Sequence, residues 1–261
     1  MLAIAWRALA ARKLEAAGSL DPAADARLLC WGNSLRELSA QEETRLDALL
    51  ARRLHGEPVQ YVLNSAWFMG LEFFVDARVL IPRQDTETLC EAALACLRGA
   101  QAPRVLDLCA GSGAIGLSLA KLYAPARATL ADVSAGACAV MEENRRRLGV
   151  KAEIVCGDLF QPVRGREFDL IVCNPPYIRS EEMASLQAEV QKEPRLALDG
   201  GADGLDFYRR IAGEYQNFLA PGGTLMLEIG YDEAESVRAL FGGGNVLRDL
   251  GGRDRVVVIR E

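Results

Sequence analysis

Apolar residues recur every three or four positions through the first part of the chain, which is the spacing of an amphipathic helix. Gly18-Ser19 and Gly32-Asn33-Ser34 interrupt this pattern with turn residues, and Asp21-Pro22 is typical of a helix start. We therefore predict a helical domain over residues 1–60. Its apolar positions form three stripes: Leu2, Trp6, Leu9 and Leu14; Leu28, Leu29 and Trp31; and Leu46, Leu49, Leu50 and Leu54.

From residue 61 the pattern becomes that of strands. An aromatic stretch at 66–75 has Gly70 near its middle, which predicts a β-hairpin within a linker at 61–83. An amphipathic helix then runs to about Arg98, and short apolar runs alternate with helical patterns after it. Strands are predicted at 104–108, 127–131, 152–155, 168–172, 223–229, 245–249 and 255–260, and helices near 114–122, 134–148, 181–191, 204–219 and 231–241.

This alternation predicts the fold of residues 84–261. Repeated strand–helix units favour a parallel sheet with helices on both faces. Gly251-Gly252 separates the last two strands, so we expect these two to form an antiparallel pair at one edge. The predicted fold is α/β and Rossmann-like, with a seven-stranded, mostly parallel sheet.

Composition and charge argue against several classes of protein. Half of the 261 residues are apolar and a quarter are charged, as in an ordinary globular protein. The formal net charge of −6 works against extended binding of duplex nucleic acid, so we expect no direct nucleic-acid substrate. No apolar run approaches the roughly 18 residues of a membrane helix, so no membrane partner is expected. Charges within residues 1–13 favour an amphipathic helix over a signal peptide.

Cysteine and histidine usage narrows the chemistry further. The seven cysteines are scattered and form no Cys-x-x-Cys pair, which argues against a disulfide framework or a zinc site. Free thiols favour a cytoplasmic location. The single histidine, His55, stands before Gly56 at a predicted helix end, where a capping or surface role accounts for it. We therefore predict neither a Ser-His-Asp triad nor a metal site.

A strand runs into a glycine-rich turn at Val105–Gly113. The sequence Gly111-Ser-Gly113-Ala-Ile-Gly116 matches the dinucleotide pattern G-x-G-x-x-G, and Asp132 follows Gly111 at the spacing of a ribose-binding carboxylate. An NAD-dependent oxidoreductase is therefore one interpretation of this turn. A strand-to-helix turn with no ligand is another.

Three carboxylates favour S-adenosylmethionine over NAD. Asp107 stands two residues before the turn, where an anion disfavours a pyrophosphate but suits a cofactor that carries an ammonium and a sulfonium. Asp132 ends the second strand and can accept both ribose hydroxyls, and Asp158 follows the third strand, where it can accept from the adenine amino group. The turn that we expect to contact the cofactor consists of Cys109, Ala110, Gly111, Ser112 and Gly113.

The fourth strand stops abruptly at Asn174-Pro175-Pro176-Tyr177. The Asn174 side-chain oxygen and the Pro175 carbonyl can accept from the two N–H groups of an amide or amine, and Tyr177 can cover its flat face. Proline adds no competing donor and keeps the corner rigid. The corner therefore predicts methyl transfer to such a nitrogen, through positioning and directed dipoles more than through a titrating base. Cys173, next to the corner, is expected to pack and not to react.

A further series of motifs surrounds these two elements in a fixed order. They are Gly56-Glu-Pro-Val-Gln-Tyr61, Phe73-Phe-Val-Asp76, Leu80-Ile-Pro-Arg-Gln-Asp-Thr-Glu87, Leu106-Asp-Leu-Cys-Ala-Gly-Ser-Gly-Ala-Ile115, Asn174-Pro-Pro-Tyr177, Glu193-Pro194 and Gly200-Gly-Ala-Asp-Gly-Leu205. Over nearly its whole length the chain thereby resembles the PrmC/HemK family, the protein-(glutamine-N5) methyltransferases of bacterial release factors.

The resemblance implies a class I S-adenosylmethionine-dependent methyltransferase fold behind a helical domain and a linking hairpin. It implies methyl transfer to the glutamine of the Gly-Gly-Gln motif in class I peptide-chain release factors, with residues 1–60 docking that partner. By matching position, the 109–113 turn, Asp132, Leu159 and Asn174 would contact the cofactor, and Asn174–Tyr177 would hold the glutamine. The chain departs from the family at Cys109, commonly glycine or alanine, at Gln84, usually proline, and at Leu159, often aromatic.

Related activities share the same tetrapeptide. A paralogous family methylates a glutamine of a ribosomal protein, but Asp85-Thr86-Glu87 favours the release-factor branch. Adenine-N6 DNA methyltransferases share the motif order as well, yet they need a target-recognition domain and a basic surface that this length and charge do not provide. A non-catalytic binding protein on this fold would not need the acceptor corner.

Overall fold

The structure is a computed structural model that describes residues 1–260. Its contacts divide the chain into two compact units. The helical unit contains Met1–Ser65 together with the short segment Gln187–Lys192, and the sheet unit contains Ala66–Leu186 and the chain from Glu193 onward. Among the described residues, none of the helices combines the length and the apolar character that a membrane crossing requires.

The helical unit contains four helices whose ends follow local capping rules. Asp21 accepts from the Ala24 N–H at the start of the second helix, and Ser39 and Glu42 form a reciprocal capping box at the start of the third. The helices are α1 (Ala3–Ala16), α2 (Pro22–Leu29), α3 (Ala40–Leu54) and the short α4 (Val59–Leu63).

The buried face of α1 differs in part from the predicted stripe. Trp6 and Leu14 are buried as expected, but Leu2 and Leu9 are exposed by 40% and 46%. Alanines occupy the remaining buried positions, Ala3 and Ala10, and these small residues allow close packing of α1 against its neighbours. The predicted stripe was wrong at those two leucines because alanines, and not leucines, fill the close contacts of α1.

Arg53 forms a buried ion pair inside the helical unit. Its Nε lies 2.8 Å from Asp25 Oδ2, and its side chain is only 5% exposed. A second nitrogen of the same guanidinium contacts Glu189, in the short segment that belongs to this unit. Arg53 therefore ties residues from three separate stretches of sequence together.

The sheet unit begins with the predicted hairpin. Its strands are β1 (Ala66–Phe68) and β2 (Leu71–Phe73), and positive φ angles at Met69 and Gly70 close the two-residue turn. The amphipathic helix α5 (Glu87–Leu97) follows, and a Glu87 carboxylate oxygen accepts from the Met69 N–H at 2.6 Å.

A seven-stranded sheet forms the centre of this unit, in the order β5-β4-β3-β6-β7-β9-β8. Five strands are parallel, and the last two form the predicted antiparallel edge. The chain builds outward from β3 to β5 and then returns to the other side of β3, which creates a switch point between β3 and β6. The strands are β3 (Arg104–Leu108), β4 (Arg127–Asp132), β5 (Ala152–Cys156), β6 (Phe168–Cys173), β7 (Leu219–Glu228), β8 (Asn245–Arg248) and β9 (Asp254–Arg260).

Helices cover both faces of the sheet, and each face has its own apolar core. They are α6 (Ala114–Leu122), α7 (Ala135–Leu148), α8 (Asp206–Glu214) and α9 (Ala234–Leu240). Both α8 and α9 are shorter than the predicted 204–219 and 231–241. The helix predicted at 181–191 is absent, and two 3₁₀ turns, Met183–Ser185 and Val190–Lys192, occupy that stretch. Neither turn buries a side chain, so no apolar face stabilises a longer helix there.

Candidate active site

A cavity opens at the switch point, lined by residues from the turns that follow β3, β4, β5 and β6. The strand register explains why several predicted residues meet there. Leu108, the last residue of β3, pairs with Ala131 of β4 and with Cys173 of β6, so the turns after these strands begin at one level of the sheet. The predicted residues on the cavity wall are Cys109, Gly111, Asp132, Asp158, Leu159 and Asn174, with Pro176 beside them.

The glycine turn after β3 combines close packing with open space. Gly111 and Gly113 have φ angles of +57° and +80°, which residues with side chains rarely adopt. A Cβ atom on Gly113 would lie 2.9 Å from Leu117 Cδ1 and 3.1 Å from Leu130 Cδ2, whereas one on Gly111 would meet nothing within 4 Å. Gly113 therefore permits packing of α6, and Gly111 leaves the cavity side of the turn open.

Asp132 lies on the cavity wall and braces the same turn. Its two carboxylate oxygens each accept one backbone N–H at 2.9 Å, from Gly111 and from Ser134. Burial raises the pKa of Asp132, and these two hydrogen bonds lower it in part. Each oxygen retains a further lone pair, so the carboxylate can still accept from two vicinal hydroxyls. This is the donor set that a ribose presents.

Asp107 lies in the core behind the turn and not on the cavity wall. It is 1% exposed, and its Oδ2 accepts from the Gly116 N–H at 2.7 Å. Burial raises its pKa from 3.8 to about 7, the charge of Asp132 adds to the shift, and the Gly116 hydrogen bond opposes it. Oδ1 has no hydrogen-bond partner in the part of the chain described. Contact between Asp107 and a cofactor stays a prediction.

The turn after β5 places Asp158 and Leu159 on the opposite wall. Asp158 Oδ2 lies 2.6 Å from Arg210 Nη2, an ion pair that the sequence did not indicate. Leu159 is buried and has a φ of +45°, and Cys109 across the cavity has a φ of +54°. A left-handed conformation costs a residue with a side chain about 1–2 kcal/mol, so both departures from the family pattern occur at strained positions.

The corner after β6 holds Asn174 and Pro176 at the cavity, with Pro175 buried between them. Asn174 Nδ2 donates to Thr86 Oγ1 at 3.3 Å. Tyr177 is half-buried and packs against the core on one face of the sheet. Burial raises the pKa of the Tyr177 phenol, so this group stays neutral. The proposed covering of a substrate by Tyr177 is a prediction that these contacts leave untested.

The Gly200–Leu205 motif supports the corner from outside. A Cβ atom on Gly200 would lie 2.7 Å from Tyr177 Cα, and one on Gly204 would lie 2.5 Å from the Tyr177 carbonyl oxygen. These glycines therefore allow one backbone to pack directly on another. The motif was visible in the sequence, but its contact with Tyr177 was not.

Glu193 connects two further segments of the cavity wall. It is 6% exposed, accepts from the Ile81 N–H at 2.9 Å, and contacts the Arg83 guanidinium. The two motifs Leu80–Glu87 and Glu193-Pro194 are thus joined, and Leu80 and Pro194 both line the cavity. In the described range no group of three or more His, Cys, Asp or Glu side chains is arranged to hold a metal ion.

Comparison with known proteins agrees with this geometry. Residues 86–201 match the family model described as methyltransferase small domain, and residues 31–63 match the PrmC N-terminal domain. The structure is similar in fold to the T. thermophilus 16S rRNA N2 G1207 methyltransferase in complex with AdoMet and guanosine. The TM-score is 0.53 at 21% identity, covering 76% of this chain and 49% of that one.

Two relatives cover almost the full length. The release factor glutamine methyltransferase of Geobacter sulfurreducens is 42% identical over 94% of this chain and 86% of its own. That of Moorella thermoacetica is 42% identical over 94% of both chains. The fold is therefore that of a class I methyltransferase, and the cofactor is S-adenosylmethionine, whose ribose suits the free lone pairs of Asp132. The chain belongs to the release factor glutamine methyltransferase family.

Proposed function

We propose that this protein methylates the side-chain amide nitrogen (N5) of the glutamine in the Gly-Gly-Gln motif of class I peptide-chain release factors. One observation carries the proposal. Asn174 and Pro176 of the corner line the same cavity as Asp132, which supports an acceptor corner for an amide beside a site for a nucleoside.

On the cofactor side, three elements hold the ligand. Among the residues on the cavity wall, Asp132 would accept from the ribose hydroxyls, and Asp158 with Leu159 would border the adenine. The open turn at Cys109–Gly113 would let the protein backbone approach the cofactor closely. S-adenosylmethionine supplies an electrophilic methyl group on a sulfonium. Asp132 and Asp158 keep carboxylates on the cavity wall, which suits a cofactor with a positive sulfur.

On the substrate side, the corner compensates for the weakness of the nucleophile. An amide nitrogen delocalises its lone pair into the carbonyl, so it attacks only when it is held in line and partly pyramidal. Asn174 Oδ1 and the Pro175 carbonyl accept its two N–H groups and orient the lone pair. The prolines add no competing N–H. The rate gain then comes from positioning and fixed dipoles.

We further propose that residues 1–60 dock the release factor, in the cytoplasm. This unit exposes large apolar side chains that its own core does not use: Leu20, Trp31 and Leu35 are exposed by 73%, 77% and 72%. Tryptophan is a typical anchor for a protein partner, and exposed apolar patches mark interaction sites. A protein substrate accounts for such a surface better than a free amino acid does.

The test is a substrate panel with isotopically labelled S-adenosylmethionine. The purified chain is incubated separately with a class I release factor, with ribosomal proteins and with double-stranded DNA, and the products are analysed by mass spectrometry. We expect one methyl group on the glutamine of the Gly-Gly-Gln motif. Label on a ribosomal protein or on adenine, with the release factor unmodified, would contradict the proposal.

A further inference from the structure

A buried acidic side chain lies behind the Asn174 corner, and the chemistry described above does not use it. Glu228 is the last residue of β7 and is 1% exposed. Leu227 of β7 pairs with Cys173, the last residue of β6, and Glu228 and Asn174 directly follow this pair. Residues at the same register point to the same face, and the two side chains therefore extend side by side.

Thr86 completes this group. It is 4% exposed and stands directly before α5, where its Oγ1 accepts from Asn174 Nδ2 at 3.3 Å. Burial raises the pKa of Glu228 to about 7, while hydrogen bonds with the side chains of Thr86 and Asn174 are among the influences that lower it. We call Thr86, Asn174 and Glu228 the Asn174 cluster.

Fold stability does not account for a carboxylate at this place. Arg255 lowers the pKa of Glu228 through its charge, but its Nη2 is held by Asp249 at 3.0 Å and by Asp85 at 3.1 Å. Glu228 Oε2 has no hydrogen-bond partner among residues 1–260. Burying a carboxylate without a direct ion pair destabilises a fold. Some other requirement therefore accounts for Glu228.

Amide orientation is such a requirement. An asparagine side chain has an acceptor end and a donor end of nearly equal shape, and a threonine hydroxyl serves either end because it can donate or accept. In its ionised form, which a pKa of about 7 leaves well populated at and above neutral pH, the Glu228 carboxylate can only accept. A carboxylate beside Asn174 therefore selects the orientation in which Nδ2 faces the protein and Oδ1 faces the cavity.

We propose that Glu228, with Thr86, is a positioning residue that fixes the amide of Asn174 so that its oxygen is presented to the substrate. The inference rests on the proposed function, because only an acceptor toward the cavity suits a substrate NH2. Without the carboxylate, Asn174 can turn its NH2 toward the substrate and repel it. Glu228 thus acts through Asn174 and touches neither substrate nor cofactor.

The first test is Glu228→Gln, which keeps the size but offers either end of an amide to Asn174. We expect kcat for release factor methylation to fall about 10- to 100-fold, the scale of a misplaced reacting group. The KM for the release factor should stay unchanged, because docking of that protein does not involve this cluster. The Kd for S-adenosylmethionine, measured by calorimetry, should not rise, and the melting temperature should not fall.

Two variants of Thr86 and one control separate positioning from packing. Thr86→Val keeps the shape and removes the hydroxyl, so kcat should fall. Thr86→Ser keeps the hydroxyl, so kcat should stay near that of the wild type. Glu233→Gln is the matched control, because Glu233 is also buried at 4% exposure with its pKa raised to about 7 by burial, yet its Oε2 accepts from the Gly230 N–H. Its kcat should match the wild type.

A direct readout does not depend on turnover. In protein labelled with ¹⁵N-asparagine, the Asn174 side-chain NH2 should give a shifted signal that exchanges slowly with water in the wild type. In Glu228→Gln the signal should move and exchange faster. Asn174→Asp identifies the resonance by its loss.

The outcomes distinguish the inference from the function on which it rests. If the wild type leaves the release factor unmodified, the proposed function fails. If the wild type methylates it and Glu228→Gln retains full kcat with an unchanged Asn174 signal, the positioning role of Glu228 is refuted. A lower melting temperature with an unchanged kcat in the folded fraction would likewise assign Glu228 to packing alone.

Discussion

The two strand ends that meet at the switch point shape the cavity by opposite means. After β3 the chain turns through Gly111 and Gly113, and the N–H of Gly111 is already held by Asp132. That turn contributes space. After β6 the chain turns through Pro175 and Pro176, which have no N–H to donate and offer only carbonyl oxygens. That corner contributes lone pairs. Missing atoms therefore define both sides of the cavity: glycine lacks a Cβ atom on one side, and proline lacks an N–H donor on the other.

A buried carboxylate lies behind each of these two turns, and the two carboxylates have different neighbours. Asp107 and Glu228 are both 1% exposed, and burial raises the pKa of each to about 7. Asp107 accepts from the backbone at Gly116 and fixes the start of α6. Glu228 lies beside the side chain of Asn174. We therefore expect changes at the turn to alter stability and binding, and changes at the corner to alter turnover.

The largest effect is expected at the corner. Asn174→Ala removes the side-chain acceptor for the substrate amide, and we expect kcat to fall about 10³-fold, as for loss of one directed group in a preorganised site. Calorimetry should give a Kd for S-adenosylmethionine within a few-fold of the wild type. Retained turnover in a folded variant would remove Asn174 from the catalytic machinery.

The next effect concerns Asp107 and the pH dependence of stability. Asp107→Asn keeps an acceptor for the Gly116 N–H but removes the ionisable group. In the wild type the folded-state pKa of about 7 exceeds the unfolded value of 3.8, so stability is lost as the pH rises from 4 through 7. Relative to the wild type, the variant should therefore gain up to about 4 kcal/mol in unfolding free energy over that range.

Urea denaturation at a series of pH values measures this difference. Asp169→Asn is the control, because Arg104 lowers the pKa of Asp169. The contribution of this carboxylate to stability is therefore lost only when the pH falls through that low pKa. The difference in unfolding free energy between Asp169→Asn and the wild type should stay constant between pH 5 and 8. A parallel pH profile for Asp107→Asn would show that Asp107 is ionised in the folded protein throughout.

A smaller effect is expected in cofactor binding. Asp132→Ala removes both ribose acceptors and the partner of the Gly111 N–H, so we expect the Kd for S-adenosylmethionine to rise about 10- to 100-fold. Asp158→Ala removes one acceptor that already pairs with Arg210, so a rise of about fivefold is expected. Calorimetry on both variants shows which substitution raises the Kd for S-adenosylmethionine more. Equal affinities for Asp132→Ala and the wild type would contradict the ribose assignment.

Much of this site follows from the sequence, because its residues stand at strand ends. A strand followed by Gly111 or by Pro175 can be located from periodicity and turn residues, and parallel strands bring such ends together. The motif order then led to the family, and the full-length relatives confirmed it.

The remainder depends on contacts that no local pattern encodes. Thr86 and Glu228 flank Asn174 from segments far away in the chain, and nothing in the local pattern around either residue indicates that contact. The predicted helix at 181–191 had helix-forming residues but no neighbour to pack on. The positive φ of Leu159 likewise results from its surroundings, because its residue type disfavours it.

The smallest difference, about 1–2 kcal/mol in unfolding free energy, is expected between the two glycines of the turn. Gly113→Ala places a methyl group 2.9 Å from Leu117 and 3.1 Å from Leu130 at a positive φ, so we expect a loss of about 2–3 kcal/mol in unfolding free energy. Gly111→Ala meets open space and carries only the φ penalty, about 1 kcal/mol. Its methyl group enters the cavity side, so its cofactor Kd should rise more than that of Gly113→Ala. Urea denaturation and calorimetry on the pair measure both quantities. The reverse order would mean that Gly111 serves packing and Gly113 the ligand.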